Sequence, residues 1–414
     1  MLKPQRILYI LAQYPNRSET FIAREIRALS CRTEIIIYAL RGRRGALADL
    51  PIFYRHEWTW QRVAGASLGR IFRRPGATLR ALSAMLIYWR QPVYALKVLR
   101  NLLYAMPMLD WVEGNGVDRI HAHFADMPTD VAIFIGKLSD CRVSFSTHAR
   151  DVFSRPAGLV MKCRFADVVF ACNQQAASLL AQLSGALTIH VIHHGLDFNE
   201  PLWDAVYERR RRIAQSGHGD GRPVRLLAVG RFVEKKGFQV LIEALHFLKQ
   251  RHVAFECRII GGGSQRQRLA AQVDEHEMNQ QVALEDFKPH AALADDLSEC
   301  DLLVQPSLIA DDGDQDGIPN IIIEAFACGV PVVATDLPQL REVIEHGRTG
   351  WLAASADPCS LADTIVAAIA GSGTLRQMAE EGRRQARMRF DVSRNVTEMQ
   401  DCWQAAESLA GMLL

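Results

Sequence analysis

The sequence predicts an α/β protein made of two doubly wound parallel-sheet domains. Three observations predict it. At 414 residues the chain is too long for one ordinary core and suits two. Short β-type apolar runs alternate with helical ones, the pattern of a parallel sheet covered by helices. That alternation halts at a charged, glycine-bearing stretch from Glu200 to Arg222 and then restarts. The expected division is a first domain over residues 1–200, a linker over 201–222, a second domain over 223–391, and a closing helix over 392–414.

The elements follow in order. Arg6–Ala12 reads as a buried strand. Ser18 suits the N-cap of a helix over Glu19–Leu29, where Phe21, Ile22, Ile26 and Leu29 recur at helical spacing. Glu34–Leu40 is a second strand, followed by an irregular basic loop, Arg41–Arg44. Residues 76–113 read as helical, broken near Pro92 and Pro107. Strands over Asp118–Phe124, Arg142–Thr147, Asp167–Ala171 and Ile189–Ile192 alternate with helices over Met127–Leu138 and Gln174–Leu183. The second half opens on the strand Val224–Val229 and the helix Gly237–Gln250. The strand Phe255–Ile260, helices near 265–273 and 291–297, and the strand Asp301–Gln305 come next. A helix opening at Pro319, a strand at Pro331–Ala334, and helices near 361–370 and 375–389 complete it.

Composition narrows the class. With 49% apolar and 23% charged residues the chain is globular. Nine cysteines stand singly, without C-x-x-C, which favours reduced thiols in a cytosolic compartment over a disulfide framework or zinc site. The apolar run in MLKPQRILYILAQYP is too short for a signal peptide, and no segment approaches the roughly 18–20 apolar residues of a membrane span. Charge is uneven. No acid lies between Glu57 and Asp110, an interval holding Arg62, Arg70, Arg73, Arg74, Arg80, Arg90, Lys97 and Arg100. With its interleaved aromatics this basic 59–109 stretch suits either an anionic lipid surface or an ordinary amphipathic insertion. No nucleic-acid module accompanies it.

The stretch from Asp316 to Gly350, DGIPNIIIEAFACGVPVVATDLPQLREVIEHGRTG, carries the chemistry. Asp316 precedes a Gly317-Ile318-Pro319-Asn320 turn, Pro319 suits the start of a helix, and Glu324 falls in that helix's second turn. Two acids beside an anion-attracting helix end suit a ligand with hydroxyls and phosphates, such as a nucleotide sugar. Gly230-Arg231-Phe232-Val233-Glu234-Lys235-Lys236-Gly237 leaves one strand and opens a helix, delivering Arg231 and Lys236 where open α/β sheets bind ligands. A guanidinium fork and a point charge both suit a diphosphate. Gly261-Gly262-Gly263 closes another strand. Gly261 and Gly263 allow either ligand approach or a tight turn, and Arg266 at the sixth position breaks the dinucleotide fingerprint. Thr147-His148 ends a strand, where an imidazole can bond a sugar hydroxyl. His121 and His123 share one strand face as H-x-H; no third ligand has a fitting local spacing, His193-His194 is not obviously near, and packing is the favoured reading over zinc. Asp312-Gly313-Asp314-Gln315-Asp316 starts like a calcium loop, but its twelfth position is Ile323.

The Asp316–Glu324 stretch, with its PN-x3-EA-x2-CG-x-PVVAT surroundings, resembles the E-x7-E signature of retaining nucleotide-sugar glycosyltransferases of the group-1, family 4 type. The first acid departs from it, being Asp316 where Glu is usual. Gly230–Gly237 resembles the same family's G-R-x4-KG motif. HAHF at His121–Phe124 and the YP-x2-SETFI string at Tyr14–Ile22 are similar to the colanic-acid and exopolysaccharide branch. The resemblance implies a GT-B architecture, two Rossmann-like domains facing across a cleft, with the last helix crossing back to the first. It implies sugar transfer from a nucleoside diphosphate to a saccharide or lipid-linked acceptor in bacterial surface-polysaccharide synthesis, in the cytoplasm or on the inner membrane face. Arg231 and Lys236 would neutralise the diphosphate with Gly317–Asn320. Asp316 would hold sugar hydroxyls, Glu324 the ribose, and His148 the donor sugar. Ser18, Glu19 and Thr20 would lie on the acceptor side. No metal is expected, because these cations neutralise the leaving group. Alternatives on the same fold are a binding partner that has lost transfer, with Asp316 as its symptom, a nucleotide-sugar epimerase, or an NAD-dependent enzyme, against which the glycine pattern counts.

Overall fold

A computed structural model describes residues 5–16, 19–42, 50–59, 76, 92–154, 158–185, 189–215 and 222–412. It divides into two compact units, Met1–Gly195 with Val392–Leu414, and Leu196–Asp391.

In the first unit the described strands are β1 (Arg6–Leu11), β2 (Glu34–Ala39), β3 (Ile52–Tyr54), β4 (Arg119–His123), β5 (Arg142–Thr147), β6 (Val168–Ala171) and β7 (Ile189–Val191). They pair in parallel in the order β3-β2-β1-β4-β5-β6-β7. The helices are α1 (Thr20–Ser30), α2 (Pro92–Asn115), α3 (Met127–Ser139), α4 (Ala149–Phe153), α5 (Leu159–Phe165) and α6 (Gln174–Ser184). Strand alternation separates two cores. Leu8 and Ile10 of β1 join the layer holding Val98, Leu109 and Val131. Ile7, Tyr9 and Leu11 join Phe21 and Ile26 of α1 on the other face. Burial on both faces is what the continuous apolar runs imply.

The second unit holds β8 (Val224–Val229), β9 (Phe255–Ile260), β10 (Val282–Glu285), β11 (Leu302–Gln305), β12 (Val332–Thr335) and β13 (Gly350–Ala353), parallel in the order β10-β9-β8-β11-β12-β13. Its helices are α7 (Pro201–Gln215), α8 (Phe238–Gln250), α9 (Arg266–Glu275), α10 (His290–Glu299), α11 (Asn320–Ala327), α12 (Pro338–Arg341), α13 (Pro358–Ala370) and α14 (Ser372–Arg389). The last helix, α15 (Val392–Met412), belongs to the first unit. It lays Val392, Val396, Met399 and Trp403 beside α1. There the buried Arg119 guanidinium lies over the Trp403 ring and donates to Glu407 Oε1 at 2.8 Å.

Two expectations need correction. Residues 201–215, expected within the linker, form α7 of the second unit. Trp203 and Val206 are buried on one face. The Glu-Arg run faces α10, where Arg209 pairs with Asp295 at 2.8 Å and Arg210 donates to the Leu297 carbonyl at 3.0 Å. Residues 216–221 lie outside the described residues. Likewise α2 runs unbroken through Pro107. Pro in a helix interior costs about 3 kcal/mol, and burial of Val98, Leu102, Ala105, Met108, Leu109 and Val112 along one stripe opposes that cost. Ser18 lies outside the described residues, and Glu19 occupies the N-cap position of α1. Most of the basic 59–109 interval, including Arg70, Arg73 and Arg74, also lies outside them. Among the described residues no single helix is long and apolar enough to cross a membrane.

Candidate functional site

In the second unit the strand order reverses between β8 and β11, the point at which open α/β sheets receive ligands beyond their carboxyl ends. The loops leaving these two strands touch backbone to backbone. Gly237 has φ +66°, and a Cβ there would stand 1.8 Å from the Pro306 carbonyl oxygen. Only glycine fits both conditions. Leu308 N donates to the Lys235 carbonyl at 2.9 Å across the same seam.

This contact brings Lys236 and Asp316 together. Lys236 Nζ lies 2.7 Å from Asp316 Oδ2, and Ser307 Oγ donates to the same oxygen at 3.3 Å. Gln339 Nε2 donates to the Asp316 carbonyl at 3.1 Å. Ser307 is itself held, its Oγ accepting from Gln305 Nε2 at 2.9 Å and its carbonyl accepting from Thr335 Oγ1. A residue not singled out from the sequence anchors the loop from beneath. Lys235 is buried, with Nζ 2.9 Å from Asp314 Oδ1, 3.7 Å from Asp316 Oδ1 and 3.4 Å from the Gln315 carbonyl. Two acids of the calcium-like loop, Asp314 and Asp316, are therefore paired with lysines, while Asp312 Oδ1 accepts from Asp314 N at 2.9 Å to close a local turn.

Arg231 is exposed on the loop after β8. Pro319 is the N-cap of α11 rather than its first helical residue, and its missing N–H is harmless in either place. Gly317 and Ile318 are half-buried before it, Asn320 opens the helix, and Glu324 is buried one turn in. Gly261 and Gly263 face the chain itself. A Cβ at Gly261 would stand 1.8 Å from the Gly230 carbonyl oxygen, and one at Gly263 2.6 Å from that of Phe232. Close backbone approach between the exits of β8 and β9 thus explains both glycines as a tight turn.

In the first unit the order reverses between β1 and β4. There four groups form a string of hydrogen bonds. Glu25 Oε1 lies 2.9 Å from His123 Nε2, His123 Nδ1 lies 3.2 Å from His148 Nε2, and His148 Nδ1 lies 3.1 Å from His194 Nε2. Tyr9 OH donates to Glu25 Oε1 at 2.8 Å. His194, which its sequence position did not place near the H-x-H pair, is thus one imidazole away from it. Glu25 supplies the third potential ligand that local spacing did not show: donor atoms of Glu25, His121 and His123 all lie within 4.8 Å of one another. The His121 ring nitrogens meet Ser144 Oγ at 2.9 Å and Ser146 Oγ at 3.2 Å. Burial, then His194, His123 and His121, hold the His148 ring well below the ordinary histidine range. Both His148 ring nitrogens are engaged with neighbouring imidazoles. Asp151 fixes its backbone. One carboxylate oxygen accepts from His148 N at 2.9 Å and from Ala125 N at 3.0 Å, tying the exits of β4 and β5, while burial pushes that carboxyl up to about 6. Between them Phe124 adopts φ +70°, an uncommon left-handed conformation for a bulky residue and a mark of functional turns.

Comparison with known proteins follows the same division. Residues 209–385 match the family of glycosyl transferases group 1. The chain is 37% identical over 191 residues to the amylovoran biosynthesis glycosyltransferase AmsK of Erwinia amylovora, covering 45% of this chain and 44% of that one. It is 37% identical over 145 residues to WcaL of Escherichia coli (strain K12), a glycosyltransferase provisionally assigned to colanic acid biosynthesis, covering 35% and 36%. The matches span less than half the length of these relatives. Anabaena HepE, solved with UDP and glucose, superposes with a TM-score of 0.69 at 19% identity, over 97% of this chain and 100% of that one. Sucrose-phosphate synthase from Thermosynechococcus elongatus gives 0.66 at 17%, over 98% and 100%. These likenesses show the fold, two parallel-sheet Rossmann-like domains as in GT-B glycosyltransferases.

Proposed function

We propose, for a chain whose residues 209–385 are a group 1 glycosyl transferase domain, that it is a retaining glycosyltransferase of bacterial exopolysaccharide synthesis. It would move a sugar from a nucleoside-diphosphate donor to a saccharide acceptor, lipid-linked or free. One observation supports this most: Lys236 and Asp316 meet at 2.7 Å where the strand order reverses. A cation for the leaving phosphate and an acid for sugar hydroxyls are thereby held a few ångströms apart. The names of AmsK and WcaL support the polysaccharide setting, and the HepE complexes with UDP and UDP-glucose support the donor class.

In this reading the acceptor hydroxyl attacks the anomeric carbon on the face the diphosphate leaves. The C–O bond to the diphosphate breaks, and the hydroxyl proton passes to the departing phosphate oxygen. The protein's share is position and charge. Arg231 and Lys236, with the start of α11 at Gly317, Ile318, Pro319 and Asn320, take the developing charge, so no metal is required. Asp316 holds the sugar hydroxyls, Glu324 takes the ribose hydroxyls, and His148 takes a sugar hydroxyl.

The test is a nucleotide-sugar panel with and without saccharide acceptors. A matching donor is expected to raise the melting temperature, and acceptor-dependent release of nucleoside diphosphate is expected. Binding without release under every acceptor would identify a binding protein instead.

The setting extends to the membrane. The described part of α2 exposes Leu96 at 76% and Leu99 at 46% beside exposed Lys97 and Arg100. Apolar side chains among basic ones fit the inner-leaflet interface of the cytoplasmic membrane. Vesicles containing phosphatidylglycerol should therefore bind the protein, and binding should fall steeply with salt. Charge reversal at Arg70, Arg73, Arg74, Lys97 and Arg100 should weaken it. Binding that ignores both salt and lipid charge would remove the membrane from this reading.

A further inference from the structure

We propose that Glu25 is a positioning residue that sets one proton arrangement along His123, His148 and His194. This deepens the assignment of His148 to the active site and rests on it. The direction follows from elementary valence. An ionised carboxylate only accepts hydrogen bonds. His123 Nε2, 2.9 Å from Glu25 Oε1, must therefore carry a proton. A neutral imidazole has one N–H and one lone pair, so His123 Nδ1 is the acceptor. His148 Nε2, 3.2 Å away, is then the donor, and its Nδ1 accepts in turn. His194 Nε2, 3.1 Å from His148 Nδ1, donates the last bond. All three rings are held as the Nε2–H tautomer, and every bond points toward Glu25.

The surroundings reinforce this arrangement. Tyr9 OH donates to Glu25 Oε1 at 2.8 Å, leaving the carboxylate as the common sink. Stacking restrains the rings. Phe21 lies parallel to His194 with ring centres 3.8 Å apart, and Phe124 lies 4.2 Å from His148. The charged or titratable groups facing His148 are His194 from the segment after β7, His123 and His121 from β4, and Asp151 through the backbone. Burial favours neutral rings there.

The string also conducts. A proton taken up on the His194 ring lets its Nε2–H proton pass to His148 Nδ1. The His148 Nε2–H proton then passes to His123 Nδ1, and the His123 Nε2–H proton to Glu25. Each bond made is matched by one broken, and the net change is one proton moved from half-buried His194 to the carboxylate. Each ring is neutral before and after, and the passage leaves all three as Nδ1–H beside a protonated Glu25, so the resting Nε2–H arrangement belongs to the ionised carboxylate.

The experiment is ¹⁵N NMR of the histidine rings in the full chain without donor or acceptor, so its outcome is independent of whether transfer occurs. In the wild type His123, His148 and His194 are each expected as the Nε2–H tautomer. Glu25→Gln can offer an amide N–H to His123 Nε2 and reverse the string, so Nδ1–H signals should appear at His148. Glu25→Asp, which withdraws the carboxylate by one methylene, should do the same if the glutamine variant fails to fold. His194→Gln still donates to His148 Nδ1 and should leave the His148 tautomer unchanged. An Nδ1–H tautomer at His148 in the wild type, or an unchanged tautomer in both Glu25 variants, overturns the proposal. So does stoichiometric Zn²⁺ binding that shifts His121 and His123 together, which would make the cluster a metal site.

Discussion

Asp316→Ala is expected to reduce sugar transfer by about 10³-fold or more, the upper scale for losing one preorganised active-site group, while nucleoside-diphosphate binding survives. The structure sharpens the second half of this expectation. Asp316 Oδ2 lies 2.7 Å from Lys236 Nζ, so in the proposed reading carboxylate and diphosphate would compete for one cation. Removing the carboxylate frees Lys236, and nucleoside-diphosphate affinity in Asp316→Ala should equal or exceed that of the wild type. Asp316→Glu should be impaired as well. The carboxylate sits among Lys235, Lys236 and Ser307 with its side chain only 12% exposed. An added methylene must displace one of these partners, and about 1 Å of misplacement can cost roughly 10²-fold. Transfer rate and nucleoside-diphosphate affinity, measured for the wild type and both variants, decide the matter. Unchanged transfer in Asp316→Ala would remove Asp316 from the active site.

Much of this was legible because it is encoded locally. The apolar runs of β8 and β9 end at the residues the sequence indicates, since a strand's apolar run and the glycine after it are both local signals. The Lys236–Asp316 meeting was readable as two motifs at strand exits, but their contact was not. It depends on β11 lying beside β8, a non-local choice of strand order. Lys235 was hidden for the same reason. Adjacent to Lys236 in sequence, it differs in pointing beneath the loop to Asp314. The histidine string is less legible still. Glu25, His123, His148 and His194 come from four separate segments that only the folded sheet assembles. The helix α7 was missed for another reason. Its four consecutive arginines resemble a solvated linker, and only the i, i+3 pair Trp203 and Val206 signals a buried face.

The two neighbouring lysines should separate by the kind of damage their loss causes. Lys236→Ala is expected to lower turnover by about 10²-fold or more, because a cation facing the leaving group stabilises charge that develops in the transition state. Arg231→Ala should act on the same scale, its guanidinium being exposed on the same loop. Neither should shift the melting temperature greatly. Lys236 leaves behind an Asp316 that still has Ser307 and Lys235, and exposed Arg231 has no buried side-chain partner among the described residues. Lys235→Ala removes a cation that is itself buried and takes a 2.9 Å partner from Asp314 and a 3.4 Å donor from the Gln315 carbonyl, while Asp316 keeps Lys236 and Ser307. Breaking a fully buried pair from one side costs about 3–5 kcal/mol, and the cost here is smaller because the Asp314 side chain is 28% exposed. For a unit of this size each kcal/mol lowers the melting temperature by roughly 2–4 °C. Lys235→Ala should therefore melt several degrees lower and lose activity through a disordered Asp316 loop. Thermal melts and donor turnover measured together test the distinction. Near-normal turnover in both Arg231→Ala and Lys236→Ala would sink the phosphate assignment. An unshifted melting temperature in Lys235→Ala would show that the Asp316 loop is held by something other than the buried lysine.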